Sequence, residues 1–439
     1  MIGVTSTERG VRSGGAGIAA AGAGLGRRSA YATLACICAA PRLGVLFHER
    51  GAITSAFTEK SAMFAQVFVQ HGSYGLIPGQ PSAYTQPLYG WFLIPLYWLF
   101  DGSWLAIGVA QTLLAVATAW LVHEIGRRVV GPRAGLVAAA VATLNPYLVW
   151  HDVHVNREIV DQVCAAALVL LTLVVAERPS WRHAGLLGVV TGLAMLGNTR
   201  LVFVPVLCAA YIGWRLRRAR AAVGLAALVL AGAGVTVLPW LVRNKLDVGC
   251  WAITTDGRAF WKANNPQTYD LLSSGQWIDN VRNAPRPPPP GRLTPEEARG
   301  YYDKSHGKLI FHPDECLEMS FYEHLAFQYM RDHPGAKLKL AALSEQLLWQ
   351  PNVIETGGGS SGIGKQLVEP IYMWTLYALA AVGLLFVPRA FLALALVLFA
   401  YQSASAAVFV GATRYRIAWD FLLALLAAGL VVRFERARR

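Results

Sequence analysis

Apolar blocks recur along the chain at 30–48, 103–125, 134–151, 158–176, 184–198, 201–214, 221–241, 369–387, 390–410 and 416–432. Most approach the roughly 20 residues that a helix needs to cross a bilayer. The pattern predicts an all-α polytopic membrane protein of about ten transmembrane helices. The 184–198 and 201–214 blocks are short and joined by Gly197-Asn198-Thr199-Arg200, so that pair could form a re-entrant hairpin.

Between the blocks, arginines cluster at Arg27/Arg28, Arg127/Arg128/Arg133, Arg178/Arg182, Arg215/Arg217/Arg218/Arg220, Arg389 and Arg433/Arg436/Arg438/Arg439. All fall on one side if there are ten spans with both termini inside, as the positive-inside rule requires. The outer side then receives 48–102, the turns at 151–157 and 198–200, a long polar region at 242–368, and 411–416. This divides the chain into a disordered cytoplasmic tail at 1–28, a membrane module at 29–241, a small α-rich extracytoplasmic domain at 242–368 and a second membrane module at 369–439. In the polar region, Pro285 and Pro287–Pro290 read as a polyproline linker. Thr294-Pro295-Glu296-Glu297 reads as a capping box opening a helix. Further helices are expected at 314–332 and 336–349, and 357–362 (GGGSSG) as a mobile loop.

Composition agrees: of 439 residues, 55% are hydrophobic and 15% charged, where a soluble domain carries about 25% charged residues. The net charge of +13 is explained by the boundary arginines, so nucleic acid is not an expected partner; the lipid bilayer is. Cys36, Cys38, Cys164 and Cys208 lie in apolar blocks as packing residues, whereas Cys250 and Cys316 share the polar region and could pair in an oxidising compartment. No Walker A, GxGxxG, HExxH, GxSxG or CxxC pattern occurs, which speaks against an ATP-driven pump, a dehydrogenase or a zinc protease. No internal repeat is visible, which weakens a transporter built from duplicated halves.

Three groups of residues carry candidate chemistry. Glu59 heads an amphipathic stretch in the first outer loop (Ala62, Phe64, Ala65, Phe68, Val69), where a carboxylate held at a membrane surface is costly and usually functional; the bland reading is a solvated helix-start residue capped by Thr58. Glu49 is the backup, paired with Arg50. The run HDVHVNRE at 151–158 gathers His151, Asp152, His154 and Glu158. Such a cluster could hold a divalent metal, although its spacing matches no standard zinc motif; Asp152 or Glu158 could instead bind a sugar hydroxyl or assist the base. Finally, Arg200, Arg243, Arg258, Arg414 and Arg416 fall on the outer side, where no orientation signal is needed. Their donor forks suit a phosphate; the bland reading is contact with lipid headgroups.

Four segments together resemble the bacterial GT-C membrane glycosyltransferases of the protein-mannosyltransferase and aminoarabinose-transferase type: FTEKSAMFAQVFVQHG at 57–72, SAYTQPLY at 82–89, LPWLVRNK with TTDGRAFWKANN across 238–265, and GATRYR at 411–416. Thr58 stands where that family has an acidic residue ahead of the glutamate, while Glu59 keeps the glutamate. The resemblance implies a GT-C-like enzyme at the plasma membrane, with its site on the extracytoplasmic side. It would move a sugar, with inversion, from a polyprenyl-phosphate donor to a glycan, lipid or protein acceptor. On that reading Glu59 is the base, with Asp152 or Glu158 in support. Arg243, Arg414, Arg416 and Arg200 take the phosphate, and Asn244, Trp261, Asn264, Asn265 and Tyr415 line the pocket. A transporter or flippase of an anionic lipid is the competing function, and a non-catalytic scaffold a third.

Overall fold

The computed structural model describes residues 13–55, 59–216, 219–285, 287, 314–351 and 363–437. Thr58, most of the polyproline run, the helix expected from Thr294 and the 357–362 loop lie outside them.

Each expected apolar block is helical over most of its length. Among the described residues, six helices are long and apolar enough to cross a membrane, or seven if the bent pair Thr413–Trp419 and Phe421–Phe434 is one span. The shortfall from ten has local causes. The 134–151 block breaks at Leu144-Asn145, where the Asn145 side chain accepts from the Tyr147 N–H and Pro146 opens a new helix, giving Pro132–Thr143 and Pro146–His151. The short pair becomes Trp181–Gly197 and Val204–Arg215 around a single 3-10 turn, Thr199–Leu201. The first helix is described from Ser13, inside the stretch read as a tail.

One helix was not expected. Pro87–Phe100 (PLYGWFLIPLYWLF) lies in what read as loop. At about 1.5 Å per residue it is too short to span a bilayer, yet Trp98 is 73% exposed and Leu99 61%. Those side chains, with exposed Leu113, Val223, Val235 and Trp374 elsewhere, form an apolar exterior suited to lipid.

Helices pack through small residues. A Cβ on Gly188 would come within 2.7 Å of the Val229 carbonyl oxygen, and one on Gly126 within 2.5 Å of the Gly135 Cα. Without a hydrophobic drive in lipid, such close backbone approach supplies the packing energy. Inside sits a core of Ala, Leu and Val from the helices at 104–129, 158–177, 181–197 and 421–427, closed by Phe391, Trp419 and Phe421.

The polar region is α-rich: Gly257–Lys262, Thr268–Ser273, Glu315–Asp332 and Pro334–Trp349. Asp314 caps its helix through the Leu317 N–H, and His333-Pro334 ends it, as the sequence indicates. Cys250 and Cys316 form a disulfide. Glu315 accepts from the Ala83 N–H at 3.0 Å and from the Thr255 hydroxyl at 2.8 Å, tying this region to the 80–86 loop.

Candidate active site

Glu59 is the N-cap of the Lys60–His71 helix, and its side chain makes no capping bond. Aspartate, asparagine or serine would cap well, and glutamate is not among the preferred residues. The carboxylate instead lies 3.5 Å from the Arg414 guanidinium. Arg414 Nη2 also lies 2.7 Å from Glu158 Oε1, and Nε donates to the same oxygen. One arginine therefore bridges two carboxylates from the starts of two different helices. These side chains are only 15% (Glu59), 24% (Arg414) and 5% (Glu158) exposed, so water screens them weakly. The second Glu158 oxygen, Oε2, is buried without a hydrogen-bond partner among the described residues.

Two more guanidinium groups close on this centre. Arg157 donates to Gln86 Oε1 at 2.6 Å. Burial alone would lower its pKa, but the charges of Glu59 and Glu158 outweigh that and raise it. Arg200 lies 3.5 Å over the Tyr415 ring and donates to the Val410 carbonyl at 3.0 Å. Burial lowers its pKa, and although Tyr415 pulls upward, Arg157 and Arg414 push it further down. Asp161 accepts from Asn198 at 3.1 Å close by. Three cations thus lie in one partly buried cluster with Glu59, Glu158 and Asp161. Such a set can trade a carboxylate for a phosphate on a guanidinium fork, leaving a carboxylate to take a proton.

The structure brings together Glu59, Glu158, Arg200, Arg414 and Tyr415 of the expected site. The others are occupied elsewhere. Arg243 donates to the carbonyls of Ser82 and Tyr74 and to Asn244 Oδ1, each at 2.9 Å, and pairs with Asp247, so Nε and both Nη atoms are engaged. Arg416 is fully buried and divides its donors between Asp420 and the carbonyls of Leu348 and Gln350. Most of their donors are committed to protein groups, and both fasten loops, because an arginine near a helix end meets orphan carbonyls. Asn244 and Asn265 bond backbone carbonyls, and Trp261 packs against Tyr322. Arg258 also lies over the Tyr322 ring.

Asn264 donates to the Phe260 and Val408 carbonyls and accepts from Lys337 Nζ at 2.5 Å. Burial pushes the Lys337 ammonium down to about 8, below the roughly 10.4 of a free lysine. Between those values the unfolded chain holds more protons, so stability is expected to rise as pH climbs through that window. Lys337→Met should flatten the rise. Thermal unfolding of both proteins across the window checks this, and parallel curves would contradict it.

Asp152, expected to support the base or bind a sugar hydroxyl, takes part in a structural ion pair. Arg42, a charge inside the first apolar block, donates to Asp152 Oδ2 at 2.7 and 3.0 Å, and Gln162 donates to Oδ1 at 2.8 Å. Both ion partners are buried. Removing one half of such a pair strands a charge and typically costs about 3–5 kcal/mol. Arg42→Ala is therefore expected to lower the unfolding temperature sharply, and adding Asp152→Asn should restore part of the loss. An Arg42→Ala protein as stable as wild type in the same detergent would refute this role. With Asp152 so held, and His154 stacked on Trp150 with Nδ1 at the Trp150 carbonyl, the metal cluster does not assemble. No group of three His, Cys, Asp or Glu among the described residues could hold a metal ion.

Sequence reasoning missed Arg157, Gln86 and Arg42. Arg157 satisfied the rule that selected Arg200, an arginine at an outer helix mouth, and Arg42 was a lone charge in an apolar block. Gln86 carried no signal.

Residues 80–242 match the family described as dolichyl-phosphate-mannose-protein mannosyltransferase. The chain resembles a GT-C membrane glycosyltransferase. The family match contains Gln86, Arg157, Glu158 and Arg200, four members of this cluster, and it excludes Glu59 and Arg414. Two solved structures align over 85% of this chain and 72% of their own length. They are ArnT from Cupriavidus metallidurans bound to undecaprenyl phosphate, at 13% identity and a TM-score of 0.38, and the same protein in the apo state, at 15% and 0.30. No curated protein matches.

Proposed function

We propose that this chain is a membrane glycosyltransferase that takes a sugar from a polyprenyl-phosphate donor and passes it to an extracytoplasmic acceptor hydroxyl, with inversion. The observation that carries the reading is Arg414 held between Glu59 and Glu158 beside Arg157 and Arg200. The family that matches 80–242 is named for a donor of this kind, a sugar on an isoprenoid phosphate.

In the proposed step the acceptor oxygen attacks the anomeric carbon and gives its proton to Glu59. The bond between that carbon and the phosphate oxygen breaks, and polyprenyl phosphate departs with the electron pair. Arg414, with Arg200 and Arg157, stabilises the charge that grows on the departing phosphate, in a site that excludes much of the water. Glu158 holds Arg414 in place and offsets part of the cluster's positive charge. A single displacement inverts the anomeric centre. The disulfide supports an oxidising, extracytoplasmic location for this end of the molecule. The boundary arginines support the same orientation.

The test is purified protein in liposomes containing polyprenyl-phosphate-linked sugars. The reading expects release of polyprenyl phosphate. Passage of the intact donor between leaflets without cleavage would make the protein a transporter and overturn the enzyme reading.

A further inference from the structure

The three arginines of the centre repel one another, and they are not held alike. Arg414 is gripped by Glu59 and Glu158, and the charges of the same two carboxylates favour the Arg157 cation. Arg200 has no ion pair among the described residues. Burial first, and the charges of Arg157 and Arg414 after it, disfavour its cation. With no carboxylate to hold it, its place is set by the turn that carries it.

That turn is braced by one amide. Asn198 follows the Trp181–Gly197 helix in an extended conformation, and its Oδ1 accepts from the Arg200 N–H at 3.2 Å, which caps the Thr199–Leu201 turn. Its Nδ2 donates to Asp161 Oδ2 at 3.1 Å. Asp161 is buried, three residues along the helix from Glu158. Gly197 leaves room for it, since a Cβ there would come within 3.1 Å of Asp161 Oδ1. Of the side chains that cap well, serine and threonine offer a single oxygen and aspartate has no donor. Asparagine alone caps with one atom and donates with another. Gln86 adds a second bridge: it receives Arg157 on Oε1 at 2.6 Å and extends Nε2 to Thr199 Oγ1 at 3.4 Å. Side chains thus connect the helix mouth that carries Arg157 and Glu158 to the turn that carries Arg200.

We propose that Asn198 is a positioning residue of this site: braced on Asp161, it sets the turn so that Arg200 stands beside Arg157, where both reach one phosphate. Asp161 acts through Asn198, and its task there is to accept a hydrogen bond rather than to carry charge. The inference rests on the transferase reading for the reaction it serves, but the hold on a phosphate is read by binding alone.

The probe is polyprenyl phosphate, its affinity for the full-length protein in nanodiscs read by native mass spectrometry beside thermal unfolding. Asn198→Ala should weaken binding by about tenfold or more, the loss of one charge-assisted contact. Asp161 supplies the discriminating pair. Asparagine there can still accept from Asn198, so Asp161→Asn should bind as tightly as wild type or tighter. Leucine removes the same charge, which by its field alone would favour an anion, but it also removes the acceptor. Asp161→Leu should therefore weaken binding, again by about tenfold. Should Asn198→Ala fail to fold, Asp161→Leu against Asp161→Asn carries the test. Wild-type affinity in folded Asn198→Ala overturns the inference, as does equal affinity of Asp161→Leu and Asp161→Asn. So does a lower unfolding temperature with unchanged affinity, the mark of a purely structural brace, or a wild-type protein that binds no polyprenyl phosphate. Donor cleavage measured in parallel keeps the two readings apart. Cleavage with affinity indifferent to Asn198 sinks this inference alone, while the expected affinities without any cleavage sink the transferase reading and leave Asn198 beside a phosphate site.

Discussion

Glu59→Gln is expected to slow donor cleavage by about 10²–10⁴-fold, the usual contribution of a positioned general base. The amide keeps the size of the side chain and loses its ability to take a proton. Little else should change. Glu59 makes no capping bond that the variant could break, and its link to Arg414 is the longer of the two that hold that arginine. Donor affinity should stay close to wild type and the rate constant at saturation should fall, which marks an interaction made chiefly in the transition state. Glu59→Asp should fall between the two. A Glu59→Gln protein with full activity would move the proton to Glu158, the other carboxylate on Arg414, or to water.

The second large effect is at Arg414. Arg414→Ala is expected to abolish measurable transfer and to destabilise the protein as well. Glu158 is buried, and its Oε2 already lacks a partner among the described residues. Removing the arginine leaves its charge poorly compensated, a loss on the order of 3–5 kcal/mol for a buried pair broken on one side. Adding Glu158→Gln should return much of that stability without returning activity. Arg414→Lys separates the roles further. Lysine keeps the charge but not the fork that can hold two carboxylates, or a carboxylate and a phosphate, at once. Stability should therefore largely survive while donor binding weakens. Equal stability of wild type and Arg414→Ala in matched detergent would show that the Glu158 pair contributes nothing to the fold.

Much of this architecture could be read from residue order, for a physical reason. A bilayer imposes a length, and an apolar block near that length has few alternatives to a helix. The reading erred where length was ambiguous. Pro87–Phe100, too short to span, reads as loop, and the 134–151 block hides a break at Asn145-Pro146. The candidate site was legible in part. Glu59 and Arg414, far apart in sequence, were both marked by being charged at a helix mouth, and they meet at 3.5 Å. The same rule also selected Arg243 and Arg416, whose guanidinium groups bond backbone carbonyls. Nothing in the one-dimensional pattern distinguishes an arginine that closes a loop from one that holds two carboxylates, because the groups it meets come from distant parts of the chain. The pairing of Asp152 with Arg42 is hidden for the same reason: Arg42 lies in another helix, and only packing joins them.

The account stands on Arg414 as the group that receives a phosphate. Its most direct measurement is the affinity of polyprenyl phosphate for the protein in nanodiscs, by native mass spectrometry, in wild type, Arg414→Lys, Glu59→Gln and Arg243→Lys. Arg414→Lys should weaken binding by about tenfold or more, some 1.4 kcal/mol, while Glu59→Gln and Arg243→Lys stay near wild type. Binding that is indifferent to Arg414, or that depends on Arg243 instead, would contradict it.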